Sequence, residues 1–354
     1  MKNNKAKLLA VAVAMGISTQ ASAAIELYNQ DGTTFAADGH FNAFYVQTNN
    51  DANGEDQARV RMGFLPNWIG FNVSKQIDDL KVGGRSSFWV TINDGNTQNT
   101  DTAIDVRQFY GTIDGDFGQV LFGKDFGLYA RSNIFSDELL LGTGLPTPVA
   151  DEVTLGNIST GYPYAGPRAQ ITYRTPVSNG FQLAVGVLDP ESGETTAANT
   201  DNAARLEAEG TYATEFDGGK FNAWIGLAAG ENETNNVDAR GIAYGARVAM
   251  GGFQFTVSGF DQEGISTVFA SDLLATEADT DGYLVQAAYQ AGDHRFILSH
   301  GETDTGTYED EMQSAAYFYN VNSNLKLIAE YDIADSATLG QDTKQFAIGA
   351  ALSW

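Results

Sequence analysis

The chain closes on Phe346-Ala347-Ile348-Gly349-Ala350-Ala351-Leu352-Ser353-Trp354. Counted back from the terminus, every second position is apolar: Trp354, Leu352, Ala350, Ile348 and Phe346. A period of two marks a strand whose faces differ, because successive side chains point to opposite sides of a sheet. The last residue is itself aromatic, and aromatic rings belong where membrane meets water. A soluble edge strand of this kind would leave an aromatic ladder open to aggregation.

The same period runs through the chain from Gly39 onward. Phe181, Leu183, Val185 and Val187 alternate with Gln182, Ala184 and Gly186. Phe253, Phe255 and Val257 alternate with Gln254, Thr256 and Ser258, and Ala169, Ile171 and Tyr173 with Arg168, Gln170, Thr172 and Arg174. Leu325, Leu327, Ala329 and Tyr331 alternate with Lys326, Ile328, Glu330 and Asp332. A soluble sandwich would bury the apolar face; a membrane barrel would turn it to lipid and enclose water with the polar one. Alternation alone leaves both open.

Strand number and turn length separate them. Counting from Gly39 gives about sixteen strands, the first two over 40–48 and 59–74, a number in the range of water-filled barrels. Tight hairpin turns such as Asn179-Gly180, Gly251-Gly252 and Gly292-Asp293 alternate with longer polar loops at 49–58, 94–103, 189–203, 230–239, 262–281, 303–311 and 334–342. Short turns at one rim and long loops at the other are the outer-membrane pattern. The expected fold is all-β: a transmembrane antiparallel 16-stranded β-barrel.

One stretch breaks the rhythm. Residues 125–167 hold four of the seven prolines (Pro146, Pro148, Pro163 and Pro167), five acids (Asp125, Asp137, Glu138, Asp151 and Glu152) and one base, Arg131. Proline cannot donate to a sheet ladder, and a loop longer than about 15 residues is usually functional or disordered. Phe126, Leu128, Tyr129, Ile134, Phe135 and Leu139-Leu140-Leu141 make this one too apolar for a disordered tail. It reads as a loop folded inward against the concavity of the barrel, where it narrows the lumen.

The first residues set the compartment. Lys2, Lys5 and Lys7 precede a short apolar core, and Ala21-Ser22-Ala23 ends it as a cleavage site. Residues 1–23 are therefore expected to be a secretory signal peptide, leaving 24–354 as the barrel domain; the apolar run is shorter than the roughly 20 residues of a spanning helix. Its removal takes three of the 20 basic residues and none of the 45 acids, so the acid excess rises from 25 to 28. Such a chain is no partner for nucleic acid, whose phosphates need a basic face. There are no cysteines, which excludes thiol nucleophiles, thiolate metal sites and disulfides.

With these residues in view, the chain resembles the general porins of Gram-negative outer membranes, the sixteen-stranded trimeric family. The resemblance rests on the opening run Ala24-Ile25-Glu26-Leu27-Tyr28-Asn29-Gln30-Asp31-Gly32 leading to Gly39, on Phe122-Gly123-Lys124-Asp125-Phe126-Gly127 at the start of the third loop, and on the terminal Trp354. It implies an inward third loop whose acids, Asp137 and Glu138 with Asp125 and Arg131 nearby, face a ladder of bases on the wall. Those bases correspond to His40, Arg61, Arg107 and Arg168, and Arg85 shares the inner parity of its strand. The family's Pro-Glu-Phe-Gly-Gly run is replaced by Leu141-Gly142-Thr143-Gly144. The resemblance also implies a C-terminal signal (Phe346, Leu352 and Trp354) read by the barrel-assembly machinery, contacts with outer-membrane lipid and lipopolysaccharide, and a homotrimer. Poor alternation around Arg107-Gln108-Phe109-Tyr110-Gly111 suits a strand shielded from lipid by a neighbouring subunit.

The expected function is passive diffusion of small hydrophilic solutes and ions through a water-filled channel, with cations preferred because of the acid excess. No cofactor or metal is implied. His294 and His300 lie roughly 20 Å apart along one strand face, too far for one ion. Neither a Gly-x-Ser-x-Gly elbow nor His-Glu-x-x-His occurs. The alternatives are a substrate-specific channel, an outer-membrane barrel enzyme and a secreted β-sandwich adhesin.

Overall fold

The computed structural model describes residues 24–50, 55–93, 104–145, 154–190, 204–233, 235–267, 273–336 and 341–354. The expected signal peptide lies outside these residues, as do the middle of the third loop and the tips of most of the longer loops. The described strands are β1 (Ile25–Gln30), β2 (Thr33–Asn50), β3 (Glu55–Arg61), β4 (Asn67–Ile77), β5 (Leu80–Val90), β6 (Asp105–Gly115), β7 (Gly118–Phe126), β8 (Pro167–Arg174) and β9 (Phe181–Leu188). They continue as β10 (Arg205–Phe216), β11 (Gly219–Asn232), β12 (Val237–Met250), β13 (Phe253–Glu263), β14 (Asp279–Ala291), β15 (His294–Asp304), β16 (Glu309–Asn320), β17 (Leu325–Ser336) and β18 (Gln341–Ser353). One short helix, α1 (Arg131–Phe135), lies in the third loop.

Neighbouring strands pair antiparallel from β4 round to β18. β18 then pairs with β2, from Ser353↔His40 to Thr343↔Asn50, and closes the sheet on itself. Closure satisfies every edge, the condition for strands in hydrocarbon. The eighteen strands make sixteen staves. β3 and β4 lie end to end beside β2 and form one stave, broken at 62–66. β1 pairs with the start of β2 on the edge that β18 occupies higher up, so it prolongs the β18 stave. Gly39 N donates to Trp354 O at 3.0 Å and Trp354 N to Gly39 O at 3.1 Å, sealing the junction.

Two strand limits differ from the sequence reading. The barrel begins before Gly39, because the small run Ala36-Ala37-Asp38-Gly39 hides the alternation of the first half of β2. The span 59–74 is interrupted, because Pro66 has no amide to give and the amide of Phe64 turns to Gly142 O at 2.8 Å.

The outward face is the apolar one. On β13, Phe255 and Val257 are each 52% exposed, while the alternating Thr256 and Ser258 are each 2% exposed. Phe181, Leu183, Val185 and Val187 on β9, and Leu327, Tyr331 and Ile333 on β17, also point out. In water so much exposed apolar surface would drive association; against lipid it is the matching solvent. At the short-turn rim the outward rings form a girdle, with Phe181 on Tyr212 at 4.4 Å and Phe253 on Tyr289 at 4.5 Å between centroids. Three turns there have both central residues at positive φ: Asp31-Gly32 (52° and 70°), Asn179-Gly180 (49° and 85°) and Gly251-Gly252 (58° and 86°). That is the twist a two-residue hairpin needs.

The inward rows are mixed rather than uniformly polar. Thr256, Gln286, Ser299, Ser314, Glu330, Asp332 and Gln345 are buried there, and so are Phe44, Leu284, Ile297, Phe318 and Ile328. The apolar ones are those the third loop covers: Leu139, Leu140, Leu141, Ile158 and Tyr162 pack among them in one cluster.

Candidate functional site

The loop between β7 and β8 is built by a succession of polar attachments to the wall. At its start, Arg131 Nη1 donates to Asp125 Oδ2 at 3.3 Å and to Phe126 O at 3.1 Å. Gln108 Nε2 donates to Asp125 Oδ1 at 2.8 Å, which ties the pair to β6. The amides of Leu128 and Tyr129 donate to Glu207 Oε2 at 2.6 and 2.9 Å, and Ser132 Oγ donates to Glu209 Oε1 at 2.6 Å. Carboxylates of β10 thus receive the amides and hydroxyl that a buried turn would leave unpaired.

Further along, Asp137 and Glu138 part company. The Asp137 carboxylate is enclosed and accepts hydrogen bonds from Leu139 N (2.8 Å), Asn157 Nδ2 (2.8 Å), Tyr162 Oη (2.6 Å) and Gln286 Nε2 (2.6 Å). Burial pushes its pKa above the usual carboxylate range, and the four donors offset only part of that. Burial and the neighbouring carboxylate likewise push the Tyr162 phenol well above its ordinary value. Glu138 instead meets cations: Arg247 Nη2 lies 3.1 Å from Oε1, and Arg295 Nη2 donates to Oε2. Gln254 Nε2 and Thr256 Oγ1 donate to the same carboxylate.

At the tip, Glu330 of β17 receives Gly144 N at 2.6 Å and the amide and hydroxyl of Thr143 at 3.1–3.2 Å. Gln345 of β18 donates to Gly144 O at 3.0 Å. A Cβ at Gly142 would meet the Glu330 carboxylate, which would have to shift to admit it. Gly144 sits at φ 63° with its Cα side against Gly156, so the two legs of the loop touch backbone to backbone.

The bases named from sequence stand on other strands. Arg85 pairs with Asp38 at 2.5 Å and donates from Nε to Gln108 Oε1 at 2.8 Å. Arg107 pairs with Asp105 at 2.7 Å, lies 5.0 Å over the Trp89 ring and donates to Tyr164 Oη at 3.3 Å. Arg168 donates to Asp189 O at 3.2 Å, and Arg61 is buried in β3. His40 is buried, stacked on Trp68 at 4.6 Å and within hydrogen-bond distance of Ser353 Oγ and Asn42 Nδ2. Of the charges expected to converge, the structure brings Asp125 to Arg131, and links Arg85 to that pair through Gln108.

The cations that meet the loop acid Glu138 are Arg247 of β12 and Arg295 of β15. Both lie outside the set of residues expected from the sequence, as do Glu207, Gln286 and Glu330. Their only signal is a charged or amide side chain at inward parity; pairing them with a loop 78 or more residues earlier needs the closed barrel. At the terminus, Phe346 and Leu352 face outward, and Trp354 packs on Gly39 and, at 5.1 Å, on the Phe41 ring.

A family model for Gram-negative porins matches residues 10–338. Outer membrane protein U of Vibrio parahaemolyticus is 24% identical over 344 residues, 94% of this chain and 91% of that protein. Among solved structures, an anion-selective porin from Comamonas acidovorans superposes with a TM-score of 0.71 at 15% identity, over 91% of this chain and all of that one. OmpT of Vibrio cholerae, an outer membrane protein solved in a trimer form, superposes with a TM-score of 0.60 at 16% identity, over 92% and 100%. A barrel with its apolar face to lipid and a family match along nearly the whole strand order lead to one assignment: the chain is a member of the Gram-negative porins and forms a channel in the outer membrane.

Proposed function

We propose that the channel passes small hydrophilic solutes and ions by passive diffusion, favours cations, performs no chemistry, and has its width set by the third loop. The observation that carries this reading is the series of wall attachments at Glu207, Arg247, Arg295 and Glu330, which hold the loop across the interior. Charge balance supports the cation preference. Arg85, Arg107, Arg131, Arg205 and the Arg247–Arg295 couple each have an acid in ion-pair contact. Among the bases that approach the loop and inner wall, much of the positive charge is thereby neutralised, while the chain as a whole carries 45 acids against 20 bases. Selectivity follows the field of the residues that line the pore, so an anion-selective relative at 15% identity shares the fold without fixing the sign here. The rings His40, Trp68, Trp89 and Phe126 form a ladder, yet all four are buried, which speaks against an open sugar track.

In the same reading the protein is a homotrimer in contact with outer-membrane lipid and lipopolysaccharide, and Phe346, Leu352 and Trp354 form the signal for the barrel-assembly machinery. Support comes from the trimeric form of a structural relative and from the outward position of Phe346 and Leu352. Planar-bilayer recording in a salt gradient tests the channel: the expected reversal potential lies on the cation side, and a marked anion preference refutes that part. Sedimentation in detergent tests the trimer, with a monomer mass as the contrary result.

A further inference from the structure

The third loop does not stand alone inside the barrel. The connection between β13 and β14 bends in beside it. Ile265 is 1% exposed and packs with Tyr129, Ala130, Phe260 and Leu273. Gln262 bridges the two loops: it donates from Nε2 to Ile265 O at 2.8 Å and accepts Tyr129 Oη at 3.1 Å. On the returning leg of the third loop, Tyr164 N donates to Thr267 O at 3.0 Å. The connection is itself braced, with Leu274 N donating to Gly264 O at 2.8 Å and Asn232 Nδ2 to Leu274 O at 3.1 Å.

Tyr129 is the wedge. Its ring is 1% exposed and lies beneath the Arg205 guanidinium at 5.6 Å. Gly241 of β12 leaves the space the ring occupies, since a Cβ there would meet it at 2.6 Å. The first leg is thus caught between the wall and the second connection. Both legs of the third loop touch residues 262–267, and that segment belongs to the rim of long loops, which faces outward from the cell.

We propose that residues 262–267, where β13 runs into its connection to β14, are a clamp on the third loop, with Tyr129, Gln262 and Ile265 as positioning residues, so that a perturbation at the cell surface changes the width of the channel. This rests on the reading that the third loop sets that width. The clamp adds restraint where the loop enters the barrel, whereas the contacts of Glu138 and of Glu330 with Thr143 and Gly144 restrain it further along its first leg.

The test is single-channel recording on the full-length protein in planar bilayers, for Ile265→Asp, Tyr129→Phe and Ile265→Val. Ile265→Asp sets a carboxylate in the apolar contact, and Tyr129→Phe removes only the bond to Gln262. Both are expected to raise conductance and open-channel noise, the first more than the second, and Ile265→Val to stay at the wild-type level. Tyr129→Phe keeps its packing, so the test stands even where Ile265→Asp does not fold. Leu140→Asp, in the third loop itself, separates the two readings. If it alters conductance while Ile265→Asp and Tyr129→Phe match wild type, the clamp is overturned by itself. If Leu140→Asp also matches wild type, the loop does not set the width and both readings fall.

Discussion

Glu330 and Gly144 stand 186 positions apart in the chain, and the Gly144 amide donates to the Glu330 carboxylate at 2.6 Å. The same carboxylate takes the amide and hydroxyl of Thr143. It holds the tip of the third loop to β17. Replacing it by alanine leaves two buried amides without acceptors, at about 1–3 kcal/mol each. Glu330→Ala is expected to give a folded barrel with noisier channel openings and faster proteolysis at the tip, and Glu330→Gln a smaller change. Wild-type noise and protease resistance in Glu330→Ala would show that the tip is held by its apolar contacts alone.

Glu138 is placed between Arg247 and Arg295. Glu138→Gln leaves both guanidinium groups without their counter-charge, and the reversal potential in a salt gradient is expected to move toward the anion side. Arg295→Gln is expected to move it toward the cation side. Equal potentials for the two variants would mean that this cluster lies off the ion path.

Asp137 supplies a pH dependence with a definite sign. Its folded pKa is raised by burial, so its contribution to stability is fully present below the ordinary carboxylate pKa of about 4. That contribution is lost as pH rises from there to the folded value, by at most about 1.4 kcal/mol per pH unit. Thermal midpoints across the acid range should show this loss in wild type and a flatter profile in Asp137→Asn. A wild-type profile that gains stability with pH relative to the variant contradicts the assignment.

Gly39 and Trp354 meet where β2 pairs with β18. The indole ring lies where a Gly39 side chain would be. Gly39→Val is expected to displace the ring and to lower the yield of closed barrel, read as the heat-sensitive mobility shift on a gel. Undiminished closure would assign the ring a role at the membrane interface only.

Val257 reports the orientation of the sheet. It is half exposed on the outward face of β13, four residues into the strand. Val257→Arg is expected to cost about 2–4 kcal/mol, the value for an arginine on the lipid face near mid-membrane. Urea titration of protein folded into vesicles measures it, and an unchanged midpoint would place Val257 away from hydrocarbon.

Much of this molecule is legible in its strands. Phe253, Phe255 and Val257 declare a face by period two, and Asn179-Gly180 and Gly251-Gly252 declare their turns by the backbone angles they permit. Residues 125–167 could be recognised as the foreign segment from prolines and length. The contacts of Glu138 could not, because Arg247 and Arg295 carry the same local signal as any inward base. Nor could Ile265 be told from the polar loop around it, since one apolar residue has no period.

What the sequence determined by itself was everything set by near neighbours: strand periodicity, turn type, the lipid-facing rows and the break at the third loop. The partners of that loop were decided only by tertiary structure. Closing sixteen staves fixes which inward side chains stand opposite one another, and burial there obliges each amide and carboxylate to find a partner. Glu207, Glu330, Arg247 and Gln262 acquire their roles from that closure, across separations that no local pattern spans.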